Sequence, residues 1–174
     1  FMVSGTTSSV QSMVLAACKR GDKIILPRNV HKSVINALIL CGGIPVYVRP
    51  AMHPDIGIAL AMETAEVERA IKENPEAVAV LVNNPTYYGI CSDLRAITKL
   101  AHDAGMLMLV DEAHGTHLYF GEDLPISAMA AGADMAAVSM HKSGGSLTQS
   151  SMLLLGEKMD PGYVRNIINL MQTT

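Results

Sequence analysis

Short aliphatic runs alternate with stretches of helical periodicity along almost the whole chain, and this rhythm narrows the possible folds more than any other feature of the sequence. The runs fall at Phe1–Ser4, Lys23–Leu26, Pro45–Val48, Ala77–Val82, Leu107–Val110, Met135–Val138 and Ser151–Leu155. Apolar runs this short suit strands buried on both faces. Helices between them supply the crossovers that parallel strands require. The pattern predicts an α/β domain of three layers, αβα, around a seven-stranded, mainly parallel sheet.

The intervening segments carry helix signals of their own. Val10, Met13, Val14 and Ala17 recur at helical spacing behind Ser8, with Gln11 three residues on, the pattern of a capping box. Thr64 precedes Val67, Ala70 and Ile71, and that helix should stop at Asn74–Pro75. Asp93 leads into Leu94, Ile97 and Ala101, with Gly105 placed as a C-terminal stop.

A chain of 174 residues that is 49% hydrophobic can bury a sizeable core as one domain, spanning residues 1–174. Its 4% aromatic content and lack of Trp predict an aliphatic, Met-filled interior. A net charge of −3 offers no basic footprint, which argues against nucleic acid as a partner. Cys18, Cys41 and Cys91 are far apart and form no Cys-x-x-Cys pair, so reduced thiols in a cytoplasmic setting are expected. No apolar run is long enough to span a bilayer, and no membrane association is expected. The chain opens on "FMVSG" without an initiator Met and closes on "INLMQTT", which reads as an internal piece of a longer protein.

In open α/β sheets ligands collect beyond the carboxyl ends of the strands. The segments expected there are "SGTTSS", "PRNVHKS", "NNPTYYG", "DEAHGTH" and "SMHKSGG", and each carries groups suited to chemistry. "GTTSS" at 5–9 opens a helix, so free amides, the helix dipole and the hydroxyls of Thr6, Thr7 and Ser8 would form a phosphate cradle or, more plainly, cap the helix. Asp111 ends an apolar strand and should be shielded from water, where a carboxylate needs a cation or several donors. A metal held with Glu112 and His114 would satisfy it, as would a protonated heterocyclic nitrogen. His31 opens a helix and could either cap it or lie flat over a ring. Lys142 stands among small uncharged residues, beside His141 and ahead of a glycine pair. A phosphate cradle, a buried aspartate, an imidazole and an isolated lysine are together the contacts that pyridoxal 5′-phosphate needs, with Lys142 as its Schiff-base lysine.

The segments "GTTSS", "RNVHKSVINALILCGGIPVYVRP", "NNPTYYGI", "VDEAHGTHLYF" and "SMHKSGGSLTQSS" resemble the large domain of the prokaryotic ornithine/lysine/arginine decarboxylases. These are fold type I, aspartate-aminotransferase-like, pyridoxal-phosphate enzymes. The resemblance implies a pyridoxal-phosphate-binding large domain, lacking an N-terminal segment and a C-terminal small domain. It implies decarboxylation of lysine, ornithine or arginine to an amine and carbon dioxide, in a homodimer or higher homo-oligomer. By the same resemblance Lys142 carries the cofactor, Asp111 pairs with the pyridinium nitrogen and His31 stacks on the ring. Thr6, Thr7 and Ser8, with Ser139 and His141, would surround the phosphate, and Ala113 and His114 would sit beside the ring. The first loop departs from the family's more usual GTST pattern, which leaves the choice among its hydroxyls open. Transamination or β-elimination uses the same cofactor contacts and stands as the alternative reaction.

Overall fold

The computed structural model describes residues 1–172. Its strands are β1 (Met2–Val3), β2 (Lys23–Pro27), β3 (Ile44–Val48), β4 (Ala79–Asn83), β5 (Leu107–Glu112), β6 (Met135–Ser139) and β7 (Ser151–Leu155). The helices are α1 (Thr6–Ala17), α2 (Lys32–Cys41), α3 (Thr64–Glu73), α4 (Leu94–Asp103), the single turn α5 (Met140–Ser143) and α6 (Pro161–Met171). One seven-stranded sheet runs in the order β1-β7-β6-β5-β4-β2-β3. Strands β2 to β6 pair in parallel, whereas β7 is antiparallel to both β6 and β1. The expected mainly parallel α/β sheet is therefore present, with one reversed strand near its edge.

Strand periodicity divides the apolar residues into two cores. Ile24, Leu26, Ala79, Leu81 and Leu109 face one side of the sheet and pack with Val10, Met13 and Val14 of α1, Val34 and Leu38 of α2, and Val164 and Ile168 of α6. Their neighbours Ile25, Val80, Val82, Met108 and Val110 face the other side and pack with Val67 and Ala70 of α3 and Leu94, Ile97 and Ala101 of α4. Continuous apolar runs are needed because both faces of the central strands are covered. Truncating one such residue, Leu81→Ala for instance, would cost about 2–5 kcal/mol.

Local signals place most helix ends. Asp93 Oδ1 accepts from the Ala96 amide at 3.1 Å to cap α4, and Gly105 follows that helix at φ 72°. Helix α3 ends before Asn74, as its sequence predicts. The Ser8–Gln11 capping box does not form. Helix α1 starts three residues earlier, at Thr6, with Gly5 as its N-cap. Ser8 lies inside the first turn, and its hydroxyl donates to Gln172 Oε1 at 3.0 Å. Starting at Thr6 puts the helix mouth directly at the end of β1, facing the carboxyl ends of the parallel strands.

Candidate functional site

A cavity of about 480 Å³ opens at the carboxyl edge of the sheet, a size usual for small-molecule sites, which span ~300–1,000 Å³. Thr6, Thr7, His31, Asp111, Ala113, His114, His141 and Lys142 all line it, so residues from four separate segments converge as the sequence predicts. Ser8 and Ser139 do not line it. Ser8 is turned toward Gln172, and Ser139 is fully buried with its hydroxyl 3.2 Å from His141 Nδ1. Ser4, Asn29, Asn83, Tyr87 and Gln149 complete much of the wall. Ser4, Asn29, Asn83 and Tyr87 fall within segments the sequence places at this edge, but no periodicity in loops and strand ends singles them out; Gln149 falls outside those segments.

One side of the cavity is the mouth of α1. Gly5 has φ 97° and ψ 149°, a conformation open to glycine and unfavourable for other residues. A Cβ placed there would meet no atom within 4 Å, so the space beside this backbone is open. The Ser8 and Ser9 amides turn back to the Gly5 carbonyl at 3.1 and 3.4 Å. The Thr6 and Thr7 amides have no carbonyl a turn ahead of them to bond, as at any helix start. Thr6 Oγ1 is buried and lacks a hydrogen-bond partner among the described residues. Unpaired donors, an orphaned hydroxyl and the positive end of a helix make this corner suited to an anion.

Asp111 lies across the floor, 4% exposed, on the same sheet face as Leu109 and hence on the side of α1. Its Oδ1 accepts from the Ala113 amide at 3.2 Å. Burial raises its pKa above the usual carboxylate range, against the pull of that amide and of nearby His31 and Lys142. A buried carboxyl with spare acceptor capacity suits a cationic N–H donor.

His31 is the N-cap of α2. Its Nδ1 accepts from the Ser33 amide at 3.2 Å and lies 2.8 Å from the Ser33 hydroxyl, which fixes the imidazole plane at the cavity wall. The capping reading of this residue is therefore met, and the same side chain also lines the cavity.

Lys142 projects from α5, and its Nζ is 3.2 Å from His114 Nε2. An ammonium only donates, so His114 accepts as a neutral ring. Burial lowers the His114 pKa, and the charges of Lys142 and His31 lower it further. His114 is also held edge-on by Tyr87, with ring centroids 5.5 Å apart. His141 supports the loop: its Nδ1 lies 2.9 Å from the Ser150 carbonyl and 3.2 Å from the Ser150 amide.

Glu112 does not join Asp111 in a metal site. Adjacent strand residues point to opposite faces, and Glu112 is fully buried with its oxygens engaged by the Tyr119 hydroxyl at 2.5 Å and the Ala128 amide at 2.8 Å. Burial pushes its pKa up to about 7 despite those two donors. Its role in the fold is to tie the segment after β5 back to the strand. Gly115 is required beside it, since a Cβ there would lie 2.5 Å from Glu112 Cγ and 2.8 Å from Pro85 Cδ.

The arrangement thus combines an anion cradle, a buried acid, a flat imidazole and an amine in contact with a neutral base. Comparison with known proteins identifies where this combination recurs. The family model described as Orn/Lys/Arg decarboxylase, major domain, matches residues 1–174. An arginine decarboxylase of Bacillus subtilis is 46% identical over 175 residues, covering 100% of this chain and 36% of the relative. The lysine decarboxylase LdcA of Pseudomonas aeruginosa is 26% identical over 134 residues, covering 70% of this chain and 18% of the relative. Among solved structures, N-succinyldiaminopimelate aminotransferase from Mycobacterium tuberculosis superposes with a TM-score of 0.77 at 20% identity, over 99% of this chain and 45% of that one, a likeness of fold. The chain spans little more than a third of the length of the arginine decarboxylase that it matches. With its whole length matched by the family model, and Asp111, His114 and Lys142 meeting in one cavity, the chain belongs to the family of the Orn/Lys/Arg decarboxylase major domain.

Proposed function

We propose that this chain is the cofactor-binding large domain of a longer pyridoxal-phosphate-dependent decarboxylase that acts on a basic amino acid, with arginine the first substrate to test. The carrying observation is the convergence of Lys142, Asp111 and the α1 mouth on one cavity. The family match and the relatives named arginine decarboxylase support the substrate class. Pyridoxal 5′-phosphate fits the donor set: an orphaned Thr6 hydroxyl and free helix amides for its phosphate, and a buried acid for its ring nitrogen.

When bound, pyridoxal 5′-phosphate supplies a carbonyl that condenses with amines and a protonated ring that withdraws electrons from the bond to the leaving carboxylate. The chain's residues have separate tasks. Lys142 Nζ would hold the group at its carbonyl end, and the amine is nucleophilic only in its neutral form. His114 Nε2, neutral and 3.2 Å away, accepts a hydrogen bond from that amine and orients it toward the cavity. Asp111 would pair with the protonated ring nitrogen. Thr6, Thr7 and the first amides of α1 would hold the phosphate, and His31 and Ala113 would stand beside the ring. A homodimer or higher homo-oligomer and a cytoplasmic location complete the proposal; the free thiols of Cys18, Cys41 and Cys91 are compatible with the latter.

The test uses full-length protein with carboxyl-labelled arginine, lysine and ornithine. Labelled carbon dioxide with the matching amine supports decarboxylation, whereas label retained in a keto acid makes the protein an aminotransferase. Borohydride reduction and peptide mapping should mark Lys142, and a mark on another lysine overturns the site.

A further inference from the structure

Two buried serines outside the cavity connect its two ends. Ser9, in the first turn of α1, and Ser151, the first residue of β7, are both fully buried. Their hydroxyl oxygens are 2.9 Å apart, and the Ser151 hydroxyl donates to the Val138 carbonyl at 2.7 Å. A hydroxyl carries one proton. Because that of Ser151 is committed to Val138, Ser9 must donate to Ser151, and the chain runs in one direction: Ser9, Ser151, Val138. Its first member closes the helical turn that begins at the anion cradle, its amide bonding the Gly5 carbonyl at 3.4 Å. Its last member lies on β6, four residues before Lys142. No other hydroxyl pair among the described residues joins α1 to β7.

We propose that Ser9 and Ser151 are positioning residues that set the distance between the anion cradle and the Lys142 amine. The inference rests on the cofactor reading above. A rigid ligand held at both ends requires a fixed span, and a directed chain of buried hydrogen bonds adds to the non-directional apolar packing of α1 on the sheet a restraint that depends on orientation. Ser9 and Ser151 touch no ligand. They act through the helix mouth on one side and through β6 on the other.

Ser12 provides an internal control. It is fully buried on the same helix, and its hydroxyl has no partner among the described residues. Full-length Ser9→Ala, Ser151→Ala and Ser12→Ala proteins would be titrated with three probes: pyridoxal 5′-phosphate, pyridoxal and inorganic phosphate. Absorbance reports the first two, and competition the third. Loss of either relay serine should weaken pyridoxal 5′-phosphate by about three- to tenfold, the scale of one buried hydrogen bond. Pyridoxal and phosphate alone, each held at one end only, should bind as in the parent, and Ser12→Ala should match the parent throughout. Equal weakening of all three probes shows general destabilisation and overturns the proposal, as does unchanged pyridoxal 5′-phosphate affinity. A parent protein that binds no pyridoxal 5′-phosphate refutes the cofactor reading itself, a result distinct from an unaffected relay variant.

Discussion

Nζ of Lys142 stands 3.2 Å from Nε2 of His114, two residues 28 positions apart that different strands deliver to one point. The contact joins a donor to an acceptor only while the imidazole is neutral. Burial keeps it so first, with the Lys142 charge adding to the effect. Lys142→Ala should therefore raise the titration midpoint of His114, read from its ring-proton chemical shift in cofactor-free protein. An unchanged midpoint would mean that the two groups do not sense one another. The same variant should lose cofactor attachment and turnover together.

Asp111 should separate stability from activity. Its pKa is raised by burial, so the unfolded carboxyl ionises at lower pH than the folded one, and the cofactor-free fold loses stability as pH rises above the ordinary carboxylate range. Asp111→Asn removes that loss while keeping an acceptor for the Ala113 amide. Cofactor-free Asp111→Asn should unfold at equal or higher urea concentration than the parent at pH 7. In full-length protein the proposed decarboxylation should fall by roughly a hundredfold or more, the scale of losing one preorganised electrostatic partner.

Thr6→Val replaces the orphaned buried hydroxyl with a methyl of nearly the same shape. Leaving such a hydroxyl unpaired costs about 1–3 kcal/mol. Thermal unfolding of the cofactor-free variant should shift upward by the equivalent of about 1 kcal/mol. Affinity for pyridoxal 5′-phosphate should drop at the same time. If both properties fall, Thr6 has a structural partner instead of a ligand.

Glu112 predicts a pH dependence of the fold with the sign set by its raised pKa. Between its ordinary value of 4.5 and about 7 the unfolded chain releases this proton while the folded protein retains it. Stability from this group is therefore present below pH 4.5 and declines as pH rises toward 7, by about 3 kcal/mol over the interval. Glu112→Gln should abolish that part of the slope. Urea titrations at pH 5 and pH 7 would show the variant gaining on the parent at the higher pH; a constant difference would rule out the shift.

Much of the fold is legible in the residues themselves. Apolar runs disclosed all seven strands and helical spacing disclosed α1 to α4, because burial on both sheet faces leaves a continuous aliphatic signature. Direction was harder: β7 is as aliphatic as its neighbours, and nothing in Ser151–Leu155 reveals that it runs backwards against β6. Among the hydroxyls at 6–8, chemistry is nearly identical and only helix rotation distinguishes them, sending Ser8 to Gln172 while Thr6 stays at the cavity. Glu112 looked like a partner for Asp111 because sequence adjacency hides the alternation of a strand. Tyr87 and Gln149 belong to loops whose conformation depends on distant contacts.

The reversal of β7 has a mechanical meaning. Residues 140–150 leave β6 at Ser139 and re-enter the sheet beside it at Ser151, and the Met140 amide bonds the Ser150 carbonyl at 3.0 Å to cinch the loop at its base. Lys142 thus rides on a closed bight with both feet planted in neighbouring strands, unlike His31 and Thr6, whose segments run on into helices. Any pull on its amine is shared between two strands in shear across their ladder of rungs. The backbone that carries the amine is thus moored at both ends, and the alkyl stem adds its own reach.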